Sequence, residues 1–188
     1  MLKTLSKHIK EFKKASIATP IFMILEVLME TLIPFLMASI INEGIEKGNI
    51  NHIYKIGVLM IIISLFSLFS GIMGGTFGAK ASTGFAKNLR SAMFEKIQTF
   101  SFANIDKYST AGLVTRLTTD VTNIQNAYQM LLRMCIRAPF SLICAMGMAF
   151  FINARIASIY LIAVIILGIF LIYVIKNATK YFNNVFQK

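Results

Sequence analysis

Residues 56–100 read IGVLMIIISLFSLFSGIMGGTFGAKASTGFAKNLRSAMFEKIQTF, and the character of the chain changes within this stretch. Residues 56–79 carry no charge, and a helix of that length spans about 36 Å, more than the ~30 Å hydrocarbon core of a bilayer. Beyond Lys80, apolar residues recur at helical spacing with charged residues between them: Phe85, Leu89, Met93, Ile97 and Phe100. The stretch therefore predicts one helix that crosses a membrane and continues beyond it as an amphipathic helix.

Three further stretches, residues 16–41, 134–152 and 156–175, are nearly free of charge and long enough to cross a bilayer. Of the 188 residues, 56% are apolar and 14% are charged, whereas soluble proteins are about a quarter charged. The mean hydropathy is +0.69. The sequence thus predicts an all-α membrane protein with four transmembrane helices and excludes a soluble globular protein.

The Lys and Arg residues flank these spans unevenly. Sixteen of the 19 lie in residues 1–15, in residues 80–137 or after residue 175, and three lie in the short segments 42–55 and 153–155. Because basic residues accumulate on the cytoplasmic side, we expect a multi-pass protein of the cell membrane with both termini in the cytoplasm. Topology accounts for the net charge of +11, so no nucleic acid partner is expected.

Residues 80–133 are predicted to form a cytoplasmic helical hairpin. Before the third span, a second amphipathic pattern contains Leu113, Leu117, Val121, Ile124, Tyr128 and Leu132. Each arm has 21 residues and reaches about 31 Å. Residues 101–112 (SFANIDKYSTAG) are rich in turn and cap residues, which makes them the tip. A tip this far from the bilayer favours contact with a soluble partner, and a solvated turn is the alternative.

Two carboxylates interrupt the first span. Glu26 and Glu30 are four residues apart and share one helix face, and each costs about 2.5–3.5 kcal/mol at a helix centre on insertion scales. One interpretation is a water-filled substrate pathway, and the other is pairing with a neighbouring span. Pro34, one turn further on, removes a backbone hydrogen bond and is expected to bend the helix beside such a pathway.

Four glycines in the second span, Gly71, Gly74, Gly75 and Gly78, form two small-x-x-x-small pairs, which predict close packing of another helix. The segment GGTFGAK within this region differs from a phosphate-binding loop, because an alanine separates its last glycine from Lys80. We therefore predict no ATP-binding, catalytic, cofactor or metal-binding residue in this chain.

Two stretches carry a family resemblance: ETLIPFLMASIINEGIEKGNI (residues 30–50) and NLRSAMFEKIQTFSFANIDKYSTAGLVTRLTTDVTNIQN (residues 88–126). The second has a basic helix, an Asp-Lys turn, a glycine and a Leu-x-x-Arg-Leu-x-x-Asp-Val pattern. Over essentially all 188 residues, the chain resembles the transmembrane domain of ATP-binding cassette (ABC) exporters of the six-span, half-transporter type. Four of the six spans are present and the cassette is absent, so we expect residues 16–188 to be a partial transmembrane domain that follows a basic segment at 1–15.

The resemblance implies that the first coupling helix lies within residues 105–114 and rests on an ATP-binding cassette domain. ATP and Mg²⁺ would bind in that missing domain, and a second half-transporter would complete a homodimer or heterodimer. The residues assigned to coupling are Ile105, Asp106, Lys107, Tyr108, Ser109, Thr110 and Gly112.

The predicted function is the transmembrane portion of an ATP-driven exporter, which forms the substrate pathway and transmits force through the tip. This family hydrolyses ATP when complete, whereas the chain alone is expected to be inactive. Two alternatives stay open. One is a multi-span receptor or regulatory protein whose hairpin contacts a signalling domain, and the other is a channel-like oligomer with Glu26 and Glu30 in acidic rings.

Overall fold

The computed structural model describes residues 7–101 and 109–186, with side chains for 8–101 and 109–177. Within these ranges the chain forms four long helices. A 3₁₀ segment (Lys7–Phe12) leads into α1, which a π turn (Ile40–Ile45) extends, and a second π turn (Arg116–Asp120) lies inside α3. The helices are α1 (Lys13–Ser39), α2 (Ile50–Gln98), α3 (Thr110–Ile152) and α4 (Ala154–Phe186).

Each of the four helices is long and apolar enough to cross a membrane. The predicted all-α membrane fold is therefore confirmed. At most 11% of the most apolar window of any helix is buried inside the chain, so most of these side chains face outward, as the lipid-exposed surface of a membrane protein does. The chain divides into two compact units, Met1–Ser141 and Leu142–Lys188. The first unit contains α1, α2 and the greater part of α3.

The connections between helices are shorter than the loops that were predicted from the limits of the uncharged stretches. Asn49 caps α2 by accepting a hydrogen bond from the backbone N–H of His52 (3.1 Å), and Gly48 turns the chain with φ of 66°. Asn153 caps α4 in the same way through the N–H groups of Arg155 and Ile156. The predicted loops at 42–55 and 153–155 therefore shrink, because polar cap residues are parts of helix ends although hydropathy places them in loops.

Two of the four glycines in the second span, Gly74 and Gly78, lie where α2 contacts α1. Gly74 and Gly78 are buried, and a β-carbon on Gly74 would overlap the side chain of Met23. A β-carbon on Gly78 would lie 3.3 Å from Thr19 Cγ2. Met23 and Thr19 are at most 1% exposed. Because Gly74 and Gly78 have no side chain, α1 and α2 can approach each other closely at these two positions.

The other two glycines differ from each other. A β-carbon on Gly71 would lie 3.0 Å from the Oε1 atom of Glu26, so this glycine makes room for a carboxylate. A β-carbon on Gly75 would have no neighbour within 4 Å. The packing role of Gly75 therefore stays a prediction, and it would concern a contact with something other than the described part of this chain.

Gly74→Leu is expected to destabilise the chain by about 1–3 kcal/mol, because it overpacks the contact of α1 with α2. Gly75→Leu is the matched control, since it adds the same side chain one residue away where space is open. The two variants are compared by heating each in detergent and measuring, by size-exclusion chromatography, the fraction of protein that stays monodisperse. Equal heat sensitivity of both would show that close packing at Gly74 does not stabilise the fold.

Beyond the apolar windows, α2 and α3 pack against each other as a helical hairpin. Phe85, Leu89 and Val121 are buried in a common cluster, and the rings of Phe85 and Tyr128 lie 4.8 Å apart. The Tyr128 hydroxyl donates to Ser16 Oγ at 2.8 Å, which ties the base of the hairpin to α1. The amphipathic pattern of both arms therefore produces the helical extensions that the sequence predicts.

A side chain of α2 holds the π turn in α3. Arg90 Nε donates to the backbone carbonyl of Leu117 (3.3 Å), and Arg90 Nη2 donates to Thr122 Oγ1 (3.0 Å). A π turn departs from the regular i to i−4 pattern and tends to occur at functional sites. Arg90 thus fixes the irregular turn to the opposite arm of the hairpin.

Candidate charged site in the membrane region

Both carboxylates of α1 bind one arginine of α3. Arg137 Nη1 donates to Glu26 Oε1 at 2.8 Å, and Arg137 Nη2 donates to Glu30 Oε2 at 2.9 Å. The i, i+4 spacing of Glu26 and Glu30 on α1 lets one guanidinium reach both. Of the two interpretations that the sequence left open, the structure shows pairing with a neighbouring span. A substrate pathway role for Glu26 and Glu30 stays a prediction.

The three side chains differ in exposure. Glu26 is 16% exposed, Arg137 is 37% exposed and Glu30 is 58% exposed. Ion pairing offsets much of the cost of holding charges in an apolar region. With Arg137 between them, the two carboxylates no longer form a bare acidic surface. This weakens the acidic ring that the channel-like alternative requires.

Glu26 has one oxygen in use and one without a partner. Its Oε1 atom binds Arg137, whereas its Oε2 atom is buried and accepts no hydrogen bond from the described residues. A buried oxygen without a donor costs free energy. The site is therefore incompletely satisfied and could accept a further hydrogen bond from water or a ligand.

A second arginine, Arg133, lies one turn before Arg137 on α3. Its Cγ and Cδ atoms would lie 3.6 Å from a β-carbon on Gly78, so the missing side chain of that glycine makes room for the arginine stem. Arg133 is half-buried and forms no hydrogen bond or ion pair with any residue that the structure describes. Within the described part of the chain, its five N–H donors thus have no acceptor.

Two cavities meet at Arg133. The larger, of about 530 Å³, is lined by four polar residues and three methionines: Asn126, Gln129, Arg133, Arg137, Met23, Met130 and Met134. The smaller, of about 480 Å³, is lined by Glu26, Ser64, Ser67, Leu68, Gly71, Ile72 and Arg133. The charged residues of α1 and α3 therefore border two open clefts, each large enough for part of a small molecule.

Pro34 lies on the exposed surface of α1 and does not end that helix, which continues to Ser39. Its pathway role stays a prediction. The sequence did not indicate that Arg137 pairs with both carboxylates or that Arg133 lies beside them. The arginines' spacing of four residues matches the spacing of Glu26 and Glu30, and this complementary spacing was the available indication that the two helices could pair.

The tip of the hairpin is described in part. Ile105, Asp106, Lys107 and Tyr108 lie outside the described residues. Ser109, with φ of 53°, caps α3 by accepting a hydrogen bond from the N–H of Gly112 at 3.2 Å, so the helix begins at Thr110, three residues earlier than predicted. Ser109 and Thr110 are exposed and are thus accessible to a partner, but their coupling role stays a prediction.

Comparison with known proteins places the chain in a family. A family model described as "ABC transporter transmembrane region" matches residues 16–188. The "Uncharacterized ABC transporter ATP-binding protein YfiB" of Bacillus subtilis is 32% identical over 165 residues, which is 88% of this chain and 29% of the relative. An uncharacterized ABC transporter ATP-binding protein of Mycobacterium tuberculosis is 27% identical over 182 residues, which is 97% of this chain and 31% of that protein. The chain thus spans about three-tenths of the length of these relatives.

A third relative carries a more specific name. The "ATP-dependent lipid A-core flippase" of Hahella chejuensis is 27% identical to this chain over 122 residues. The match covers 64% of this chain and 21% of the flippase.

Proposed function

Because the chain belongs to the family of ABC transporter transmembrane regions, we propose that it forms the first four membrane helices of an exporter. The helices would line part of the substrate path and transmit the motion that ATP hydrolysis drives. A cassette domain outside this chain would bind ATP and Mg²⁺, and a second half-transporter would complete the membrane pathway.

The observation that carries this proposal is the helical hairpin. Its two arms are continuous with membrane helices and are joined by a buried cluster that includes Phe85, Leu89 and Val121. Arg90 adds hydrogen bonds from one arm to the other. Because these contacts join the two arms, a force applied near Ser109 would be transmitted to both α2 and α3. The cassette domain is the partner that could apply such a force.

Glu26, Glu30 and Pro34 are proposed to border the substrate path. Support comes from the two cavities beside the charged cluster and from the unpaired Oε2 atom of Glu26. Charged residues inside membrane helices are costly, and they commonly mark the routes of transported ions or molecules. The ion pairs with Arg137 would hold α1 and α3 together along this route.

The proposal requires the hairpin tip to lie in the cytoplasm, where ATP is available, together with both termini. Ala111→Cys and Asn51→Cys place single thiols on exposed residues at the hairpin and at the opposite end of α2. In a background with Cys135 and Cys144 replaced by alanine, an impermeant thiol reagent added to intact cells should label Cys at 51 and spare Cys at 111. The reverse pattern would invert the topology and exclude a cytoplasmic cassette as the partner of the tip.

A further inference from the structure

We propose that the cavity between α1 and α3 binds the anionic head group of an amphiphilic ligand through Arg133. This inference deepens the proposed function. It rests on that function only for the idea that the transporter moves or holds the ligand. Binding itself requires neither ATP nor transport.

Arg133 is the first observation that supports an anionic ligand. It lines the cavity of about 530 Å³, and its guanidinium has no hydrogen-bond acceptor among the described residues. The neighbouring Arg137 is occupied by two carboxylates. An unpaired guanidinium in a partly buried position favours an anionic partner, and a carboxylate or phosphate matches its forked geometry.

The charged residues that line the larger cavity are the second observation, and both are arginines, Arg133 and Arg137. Arg137 is shared between Glu26 and Glu30, at 2.8 and 2.9 Å, so these three side chains together carry one negative charge. Arg133 is the one of the two arginines whose charge no described carboxylate pairs. Within this cavity it would form an ion pair with an anion and repel a cation.

The third observation is the mixed lining of the cavity and its place along α3. Asn126 and Gln129 supply amide groups on the same face of α3 as Arg133, whereas Met130 and Met134 supply flexible thioethers. Arg133 immediately precedes the apolar stretch that begins at residue 134. A ligand with a polar anionic head and an apolar tail would therefore place its head near Arg133 and its tail toward the membrane interior.

Binding of short-chain amphiphiles to the purified chain in a neutral detergent tests this inference. Decyl phosphate should bind more tightly than decyltrimethylammonium or decyl maltoside, and inorganic phosphate should bind weakly because it lacks the tail. Arg133→Gln is expected to weaken decyl phosphate binding by about tenfold or more, since it removes a charged hydrogen bond. Arg133→Lys, which keeps the charge, should lose less.

Arg155→Gln is the control, because it removes a positive charge from an exposed residue that does not line the cavity. Each variant should first show unchanged size-exclusion behaviour. Tighter binding of the cation, equal binding of inorganic phosphate, or unchanged affinity in Arg133→Gln would each overturn the proposal. If transport later proves absent while this binding persists, the proposed function fails and the binding site stands.

Nanodiscs distinguish a lipid of the bilayer from a ligand that comes from elsewhere. If phosphatidylglycerol occupies the site, its addition to phosphatidylcholine nanodiscs should weaken decyl phosphate binding in the wild-type chain, at an ionic strength high enough to screen the surface charge of the added lipid. If the ligand comes from elsewhere, binding should be the same in both nanodiscs. The loss in Arg133→Gln is expected in phosphatidylcholine nanodiscs in either case, and its absence there would contradict the proposal.

Discussion

Replacing Arg137 with glutamine is expected to destabilise the chain by about 2 kcal/mol, between the ~1 kcal/mol of an exposed ion pair and the ~3–5 kcal/mol of breaking a buried one. The variant leaves the carboxylates of Glu26 and Glu30 without their partner, and Glu26 is 16% exposed. Partial exposure of Arg137, at 37%, keeps the effect below the maximum. This destabilisation is measured as the loss of monodisperse protein when Arg137→Gln and the wild-type chain are heated in detergent.

A compensating variant separates charge from packing. Glu26→Gln and Glu30→Gln combined with Arg137→Gln remove all three charges while keeping the side-chain sizes similar, so most of the lost stability should return. Arg155→Gln serves again as the control for loss of a positive charge. If the triple variant were as unstable as Arg137→Gln alone, packing rather than charge pairing would hold α1 to α3 here.

Replacement of residues 105–111 by a Gly-Ser linker of equal length is expected to abolish transport in the complete transporter while ATP hydrolysis continues. The linker keeps the chain connected but removes the side chains through which the cassette domain would push. Substrate accumulation in inverted vesicles, measured alongside ATPase activity, reports both quantities. Transport at the wild-type rate would reduce the tip to a solvated turn.

A finer version of this experiment uses proline at two neighbouring positions. Gly112→Pro removes the N–H group that donates to Ser109 Oγ, and with it the cap of α3; a helix cap contributes about 1 kcal/mol. Thr110→Pro introduces the same residue at the first position of the helix, where proline is tolerated. Coupling should therefore be reduced more in Gly112→Pro than in Thr110→Pro, which changes one coupling side chain but keeps the cap; an equal loss in both variants would show that the cap does not matter for coupling.

The helices were predictable because their signals are local. Uncharged length identified the four membrane helices, and the spacing of Phe85 and Leu89 identified a helix that continues beyond the membrane. The helix ends were less predictable. Asn49 and Asn153 look like loop residues by hydropathy, but their side chains accept hydrogen bonds from backbone N–H groups and so begin helices.

The charged site was predictable only in part. Glu26 and Glu30 stood out because carboxylates are costly in an apolar span. Their partner could not be identified, because the alignment of α1 beside α3 depends on packing between segments more than 100 residues apart. Gly74 and Gly75 illustrate the same limit. They are adjacent glycines in one motif, yet one contacts α1 and the other has open space.

The π turn at Arg116–Asp120 sets the angular phase between the two ends of α3. A π turn accommodates an extra residue, and one residue of an α-helix corresponds to about 100° of rotation. Beyond the turn, Val121 packs against α2 and Tyr128 contacts Phe85 and Ser16. These contacts fix the phase in which Arg137, about 25 Å further along the axis, faces Glu26 and Glu30. An insertion or deletion of one residue in the turn would therefore rotate mainly the segment before it, Thr110–Thr115, so the direction in which the tip faces depends on this short irregular turn.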